Sequence, residues 1–192
     1  MRTISLLLVS LLSITYSTAS YAGWSLENQL STLNFMSTKN QHITESHSFT
    51  QFSGSLDDSG RLEVTVELKS VETNIPIRNE RMQEHLFEVN TSPSAKLVAQ
   101  VPKAVLSMAA GETRSISLDT KITIKNVTAD YPVQVRVTKD KDGRLVATTI
   151  KPIMIQAPKH GLVSGLGVLK EIAGLKSIGF TVPVYFSVVF SK

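Results

Sequence analysis

The chain has 192 residues, of which 42% are hydrophobic and 19% charged, and its 20 Lys and Arg against 16 Asp and Glu leave a formal net charge of +4. That balance is too apolar and too weakly charged for a disordered chain. The absence of Cys excludes a disulfide-stapled scaffold and any Cys-ligated zinc or iron–sulfur centre.

Met1-Arg2-Thr3 opens the chain, and Ile4 to Ile14 follows as an aliphatic run interrupted only by Ser5, Ser10 and Ser13. Ser20-Tyr21-Ala22 then supplies a small-x-small site. A basic start, a short apolar run and such a site make a secretory signal peptide, so residues 1–22 are predicted to be cleaved on export, and export without Cys points to a bacterial envelope or secreted protein for residues 23–192. After residue 22 no apolar stretch approaches the roughly twenty residues that a membrane-spanning helix needs. The cations are dispersed, with no cluster of five or more, and nucleic-acid binding has no support.

From there the dominant signal is alternation. Leu62, Val64, Val66 and Leu68 alternate with Glu63, Thr65, Glu67 and Lys69. Ala95, Leu97, Ala99 and Val101 form a weaker case. Ile116, Leu118, Ile122 and Ile124 share one parity, as do Val133, Val135 and Val137, and later Val182, Val184, Phe186, Val188 and Phe190. Side chains in a strand point alternately to its two faces, so each run is a strand with one apolar and one wet face, the pattern of antiparallel sheet. Asp57-Asp58-Ser59-Gly60 and Lys139-Asp140-Lys141-Asp142-Gly143 mark tight turns between runs. Two segments switch to helical spacing: 77–88 after Pro76, and 162–173, with Gly174 placed to end it.

About eight one-sided strands must hide a large apolar surface, and a closed barrel does so while removing its edges. The expectation is an all-β, antiparallel barrel over residues 23–192 with two short helices. A barrel of this size either packs solid or holds one small guest. If hollow, it is lined by Leu33, Phe35, Phe49, Phe52, Val64, Val66, Leu68, Ile116, Leu118, Ile122, Ile124, Val133, Val135, Phe186 and Val188. Only an apolar guest suits that lining, because a polar one would be desolvated without partners.

These residues also carry a resemblance. Trp24-Ser25-Leu26, Ser31-x-Leu33-x-Phe35, Phe49-x-x-Phe52-Ser53-Gly54 and Leu68-Lys69-Ser70-Val71-Glu72-Thr73 occur in that order. Ile77-Arg78-Asn79-Glu80-Arg81-Met82, His85-Leu86-Phe87 and Leu118-x-x-x-Ile122-Thr123-Ile124-Lys125-Asn126-Val127-Thr128 follow. From Trp24 onward the chain resembles the YceI-like family of bacterial envelope proteins. The resemblance implies a lipocalin-like barrel, a long tunnel for a polyisoprenoid or similar lipid, and no catalytic residues. The chain departs from the family pattern at Asn126, where Gly is usual, at Glu27, where Asp is common, and in a longer C-terminal stretch.

The remaining constellations are weak. His42, His47, His85 and His160 form no metal-binding pair, and Asp140-x-Asp142-Gly143 lacks the other ligands of a calcium loop, so neither metal nor cofactor is expected. Arg78 and Arg81 on the first helix are candidates for a rim that orients a lipid headgroup, against the plainer reading of a solvated charged face. The functional expectation is therefore a periplasmic lipid-binding protein and not an enzyme. It would hold an isoprenoid or other long apolar lipid for carriage, storage or sequestration, without being an integral membrane protein. The alternatives are an outer-membrane β-barrel, whose strands also alternate, and an exported enzyme without a recognisable motif. The oligomeric state is open, a homodimer included.

Overall fold

The computed structural model describes residues 23–192; the export signal read over residues 1–22 lies outside the described residues. Twelve strands follow one another: β1 (Gly23–Leu26), β2 (Thr32–Lys39), β3 (Ile43–Phe49), β4 (Phe52–Asp57), β5 (Arg61–Glu67), β6 (Val71–Glu72), β7 (Ser94–Gln100), β8 (Thr113–Ile124), β9 (Val127–Lys139), β10 (Leu145–Thr149), β11 (Ile153–Gln156) and β12 (Thr181–Ser191). Several are halves of one stave. β1 with β2, β3 with β4, β5 with β6, and β10 with β11 each continue one another across a short break, and each half pairs with the matching half of its neighbour. The result is a closed barrel of eight antiparallel staves in meander order. β12 closes it, pairing with β10 and β11 on one side and with β1 and β2 on the other.

The breaks have local causes. Pro152 lies between β10 and β11 and has no N–H for a ladder. A single turn at Asn28–Leu30 parts β1 from β2. There the Ser31 hydroxyl donates to the Glu27 carbonyl at 2.7 Å and accepts from the Val189 N–H at 3.0 Å, so the stave stays bonded to β12 across the kink.

Turn chemistry fixes the register. Lys125 and Asn126 form a two-residue hairpin loop between β8 and β9, with φ of 48° and 62°. Both central residues of such a turn need positive φ. Asn tolerates that region better than most residues, so Asn126 suits the position. Asn40 and Gln41 likewise take positive φ at the β2–β3 tip, a turn that composition did not announce. Asp57 Oδ1 accepts from the N–H groups of Ser59 and Arg61, both at 2.9 Å, and Asp140 Oδ1 does the same for Asp142 and Arg144. The Asp140 motif is a hairpin turn.

Helices occupy the two ends. At the end holding the 40–42 and 125–126 tips, α1 (Pro76–Arg81) runs straight into a π turn at Met82–Phe87, and α3 (Val163–Ile172) packs across that turn. Together they form a lid whose buried face includes Met82, Leu86, Phe87, Leu162 and Leu166, set against Phe35 and Leu68 of the barrel. Gly165 is the close point: a Cβ there would lie 2.5 Å from the His85 carbonyl oxygen and 2.9 Å from Leu86 Cα. Gly174 follows α3 at φ 61°, as the sequence suggested. His160, fully buried before α3, sits with Nδ1 2.9 Å from the Val127 carbonyl and Nε2 3.0 Å from the Tyr131 hydroxyl. Since a carbonyl only accepts, Nδ1 donates to it, and Nε2 can then accept from Tyr131.

At the opposite end a third helix, α2 (Lys103–Leu106), plugs the barrel with Val101, Val105 and Met108 against Trp24. Two helices were expected; at four residues, α2 is too short to show a period. The Lys192 ammonium covers the Trp24 ring at 4.1 Å from its centroid.

Candidate functional site

Between lid and plug the barrel is hollow. The cavity measures about 250 Å³ and is lined from the lid residues Met82, Leu86, Phe87, Leu162 and Leu166 down to Leu56, Val101, Val105, Leu145 and Phe190 at the plug. Every lining residue is apolar except Lys96, which stands on the outward parity of β7, between Ala95 and Leu97. Several inward side chains, among them Leu33, Val64, Val66, Ile116 and Val188, are only half-buried because they face this void and not a packed core. At about 3.3 Å per residue and a tilt of 35–45°, twelve-residue staves such as β8 make a barrel about 30 Å tall. The space therefore suits an elongated apolar chain, held by surface removed from water and by no directed bond.

The outer faces are of opposite character. Glu63, Thr65 and Glu67 alternate outward on β5, Lys121 and Thr123 on β8, and Gln134 and Arg136 on β9. The sequence matches the YceI-like domain family over residues 24–190. The chain belongs to that family. Among solved structures it is similar to a polyisoprenoid binding domain from Saccharophagus degradans, at 31% identity and a TM-score of 0.85 over 90% of this chain and 99% of that one. Burkholderia cenocepacia BcnA (17% identity, TM-score 0.66, 85% and 98% covered) and a Campylobacter jejuni YCEI protein (13%, 0.53, 100% and 99%) share the fold. Among curated proteins none matches the sequence.

In this YceI-like barrel, fourteen of the fifteen residues read from the sequence as lining do border the cavity: Leu33, Phe35, Phe49, Phe52, Val64, Val66, Leu68, Ile116, Leu118, Ile122, Ile124, Val135, Phe186 and Val188. Val133 does not. It is 2% exposed and packs in the solid wall with Tyr131 and Leu118. Period two gives a side chain's face but not whether neighbours bury it from the void. Val137, Leu97, Val184 and Phe190 also line the cavity and share the parity of their runs, so the same signal could have found them. Val105, on α2, carries no such signal.

Arg78 and Arg81 do not border the cavity. Arg78 clamps α1 to the β2–β3 hairpin: one guanidinium nitrogen lies 3.0 Å from Glu45 and another donates to the Thr73 carbonyl at 2.7 Å. Lys39 reaches the same carboxylate at 2.7 Å. These bonds hold the Glu45 carboxyl below its ordinary value, with the Lys39 hydrogen bond the largest influence.

Beside this clamp, His47 is 5% exposed, packed on Phe35 with ring centroids 5.2 Å apart and Nε2 2.9 Å from the Ser37 hydroxyl. Burial, and then the Arg78 charge, hold its pKa below the ordinary 6.5. The unfolded chain therefore takes up a proton near pH 6.5 that the folded one refuses, and stability falls as pH drops through that value. The carboxylates held down in the fold, Glu45, Glu72, Asp57 and Asp140, start from 4.5 or 3.8, so their losses come at lower pH. Urea unfolding between pH 7 and pH 5 is expected to show declining stability, and His47→Gln should flatten the decline. An equal slope in the variant would assign it to another group.

Proposed function

We propose that the protein is an exported binding protein that holds one isoprenoid-type lipid chain in the barrel for carriage, storage or sequestration in the periplasm. The observation that carries this reading is the continuous apolar cavity between lid and plug. Membership of the YceI-like family and likeness to a polyisoprenoid binding domain support it. Export rests on the signal read over residues 1–22. An outer-membrane barrel needs its apolar face outward, whereas here the apolar faces line the interior. Among the described residues no helix is long and apolar enough to cross a membrane. For catalysis, polar groups would have to converge in a cleft; this lining is apolar except for Lys96, which favours a binding role.

Native mass spectrometry of the protein purified from the exporting compartment, followed by organic extraction, tests the reading. One added mass that extracts as an isoprenoid lipid is expected. A protein that stays unliganded even after incubation with isoprenoid quinones would refute it. Ala147 lines the cavity and is half-buried, so Ala147→Trp should fill the void without introducing charge. The variant is expected to fold and to lose most of the bound lipid; uptake equal to wild type would place the lipid elsewhere.

A further inference from the structure

Exposed large apolar side chains occur in several places, Leu30, Val98, Val127, Ile150 and Met154 among them, and one group gathers around α3. Ile43 on the β2–β3 tip, Val163, Val168 and Ile172 on α3, and Phe180 just before β12 are each 39–49% exposed. All five belong to the lid end. The buried Leu162, just before α3, and Gly165 and Leu166 on it face the π turn, while Val163 on one flank and Val168 and Ile172 on the other stand away from it, with Ser164, Gly167 and the exposed Glu171 between them. The chain leaving α3 is tied to the β2–β3 tip, since Asn40 accepts from the Lys176 N–H at 2.8 Å through its side chain and donates its own N–H to the Ser177 carbonyl at 2.9 Å. Tip, helix and connecting segment therefore make one face. Contiguous exposed apolar surface of this kind marks a docking site.

Charge selects the occupant. From Ala157 to Phe180 the chain carries Lys159, Lys170 and Lys176 against one acid, Glu171. None of the three lysines is ion-paired among the described residues; Lys159 lies over the Tyr131 ring at 5.4 Å from its centroid, which leaves Lys170 and Lys176 to meet an anion. The α1 side of the lid is different: Ile75 and Ile77 are exposed there, but Arg78 and Arg81 are balanced by Glu80 and Glu84. We propose that the α3 face of the lid docks on an anionic phospholipid bilayer, with Val163, Val168, Ile172 and Phe180 entering the headgroup layer and Lys170 and Lys176 meeting lipid phosphates. Apolar insertion combined with cations is how a surface binds a membrane without spanning it. The lid that closes the cavity then faces the phase in which long apolar lipids reside. The proposal rests on this face, and its readout is the protein and not its cargo.

Flotation of the full chain with vesicles tests it. Recovery with phosphatidylglycerol–phosphatidylcholine vesicles should be several-fold above that with phosphatidylcholine alone, and should fall as salt is raised. Val168→Glu with Ile172→Glu changes only exposed side chains, and its melting temperature serves as the folding control; this variant should lose flotation. Lys170→Glu with Lys176→Glu should fall to the level seen with neutral vesicles. No flotation with anionic vesicles, or equal flotation by the folded apolar variant, would overturn the proposal. So would a wild-type dimer that the apolar variant breaks while neither protein floats, because the face would then be covered by a second copy. Lipid uptake by the wild-type chain from detergent, measured in parallel, distinguishes a failure of docking from a failure of the cavity reading.

Discussion

Replacing Gly165 with valine should unseat the lid. The position has no room for a Cβ, which would fall 2.5 Å from the His85 carbonyl oxygen and 2.9 Å from Leu86 Cα. These are backbone atoms, so no side chain can rotate out of the way. Either α3 moves off the π turn or the turn itself distorts, and both expose Leu86, Leu162 and Leu166, which are now buried. Overpacking of this kind costs about 1–3 kcal/mol, and a branched side chain belongs at the upper end. Hydrogen exchange should show the loss concentrated in 76–87 and 157–172, with the β8–β9 ladder still protected. Gly167 is the internal control: a Cβ there meets nothing within 4 Å, and Gly167→Ala should be neutral or slightly stabilising, since alanine favours helix by about 1 kcal/mol. Equal destabilisation by both substitutions would mean that the helix, and not its contact, is the sensitive element.

The second large effect concerns the interior. Leu118 is 7% exposed, lines the cavity and lies opposite Val133 in the β8–β9 ladder. Leu118→Glu places a carboxyl among the apolar side chains of the cavity wall. An uncompensated buried charge costs about 3–5 kcal/mol, and the group responds by shifting its pKa upward and staying protonated. At pH 8 the variant should be strongly destabilised and should bind no apolar lipid. At pH 5, where the carboxyl can be neutral, part of the stability and some uptake should return. Uptake at pH 8 equal to wild type, in a protein shown to be folded, would remove Leu118 from the binding surface.

How far the sequence revealed this molecule depends on the range of the signal. Alternation along β5, β8, β9 and β12 is local and strong, so both the barrel and the inward face were legible. The breaks that divide staves into β1 and β2, or β10 and β11, were not: a kink is stabilised by a partner strand distant in sequence, as Val189 bonds Ser31 across the first one. The lid helix was visible from Ile77 onward, but its change to a π turn at Met82 was not, since helical spacing survives one widened turn. Arg78 shows the same limit in the site. Its charge and helical position suggested a headgroup contact, but Glu45, thirty-three residues earlier, engages it. Val133 was assigned to the right face, yet only packing separates a side chain that meets the void from one that meets its neighbours.

The closing strand has a kinetic consequence. β12 spans Thr181–Ser191 and is the only stave bonded to both the first and the preceding parts of the barrel. Pairings so distant in sequence form late, because loop entropy is lost before they contribute. Until β12 is available, the meander is an open sheet with two unsatisfied edges and its whole apolar face in water, a form prone to stick to other chains. The nascent protein is therefore most vulnerable until β12 has emerged, and loss of that strand would leave it permanently in that state.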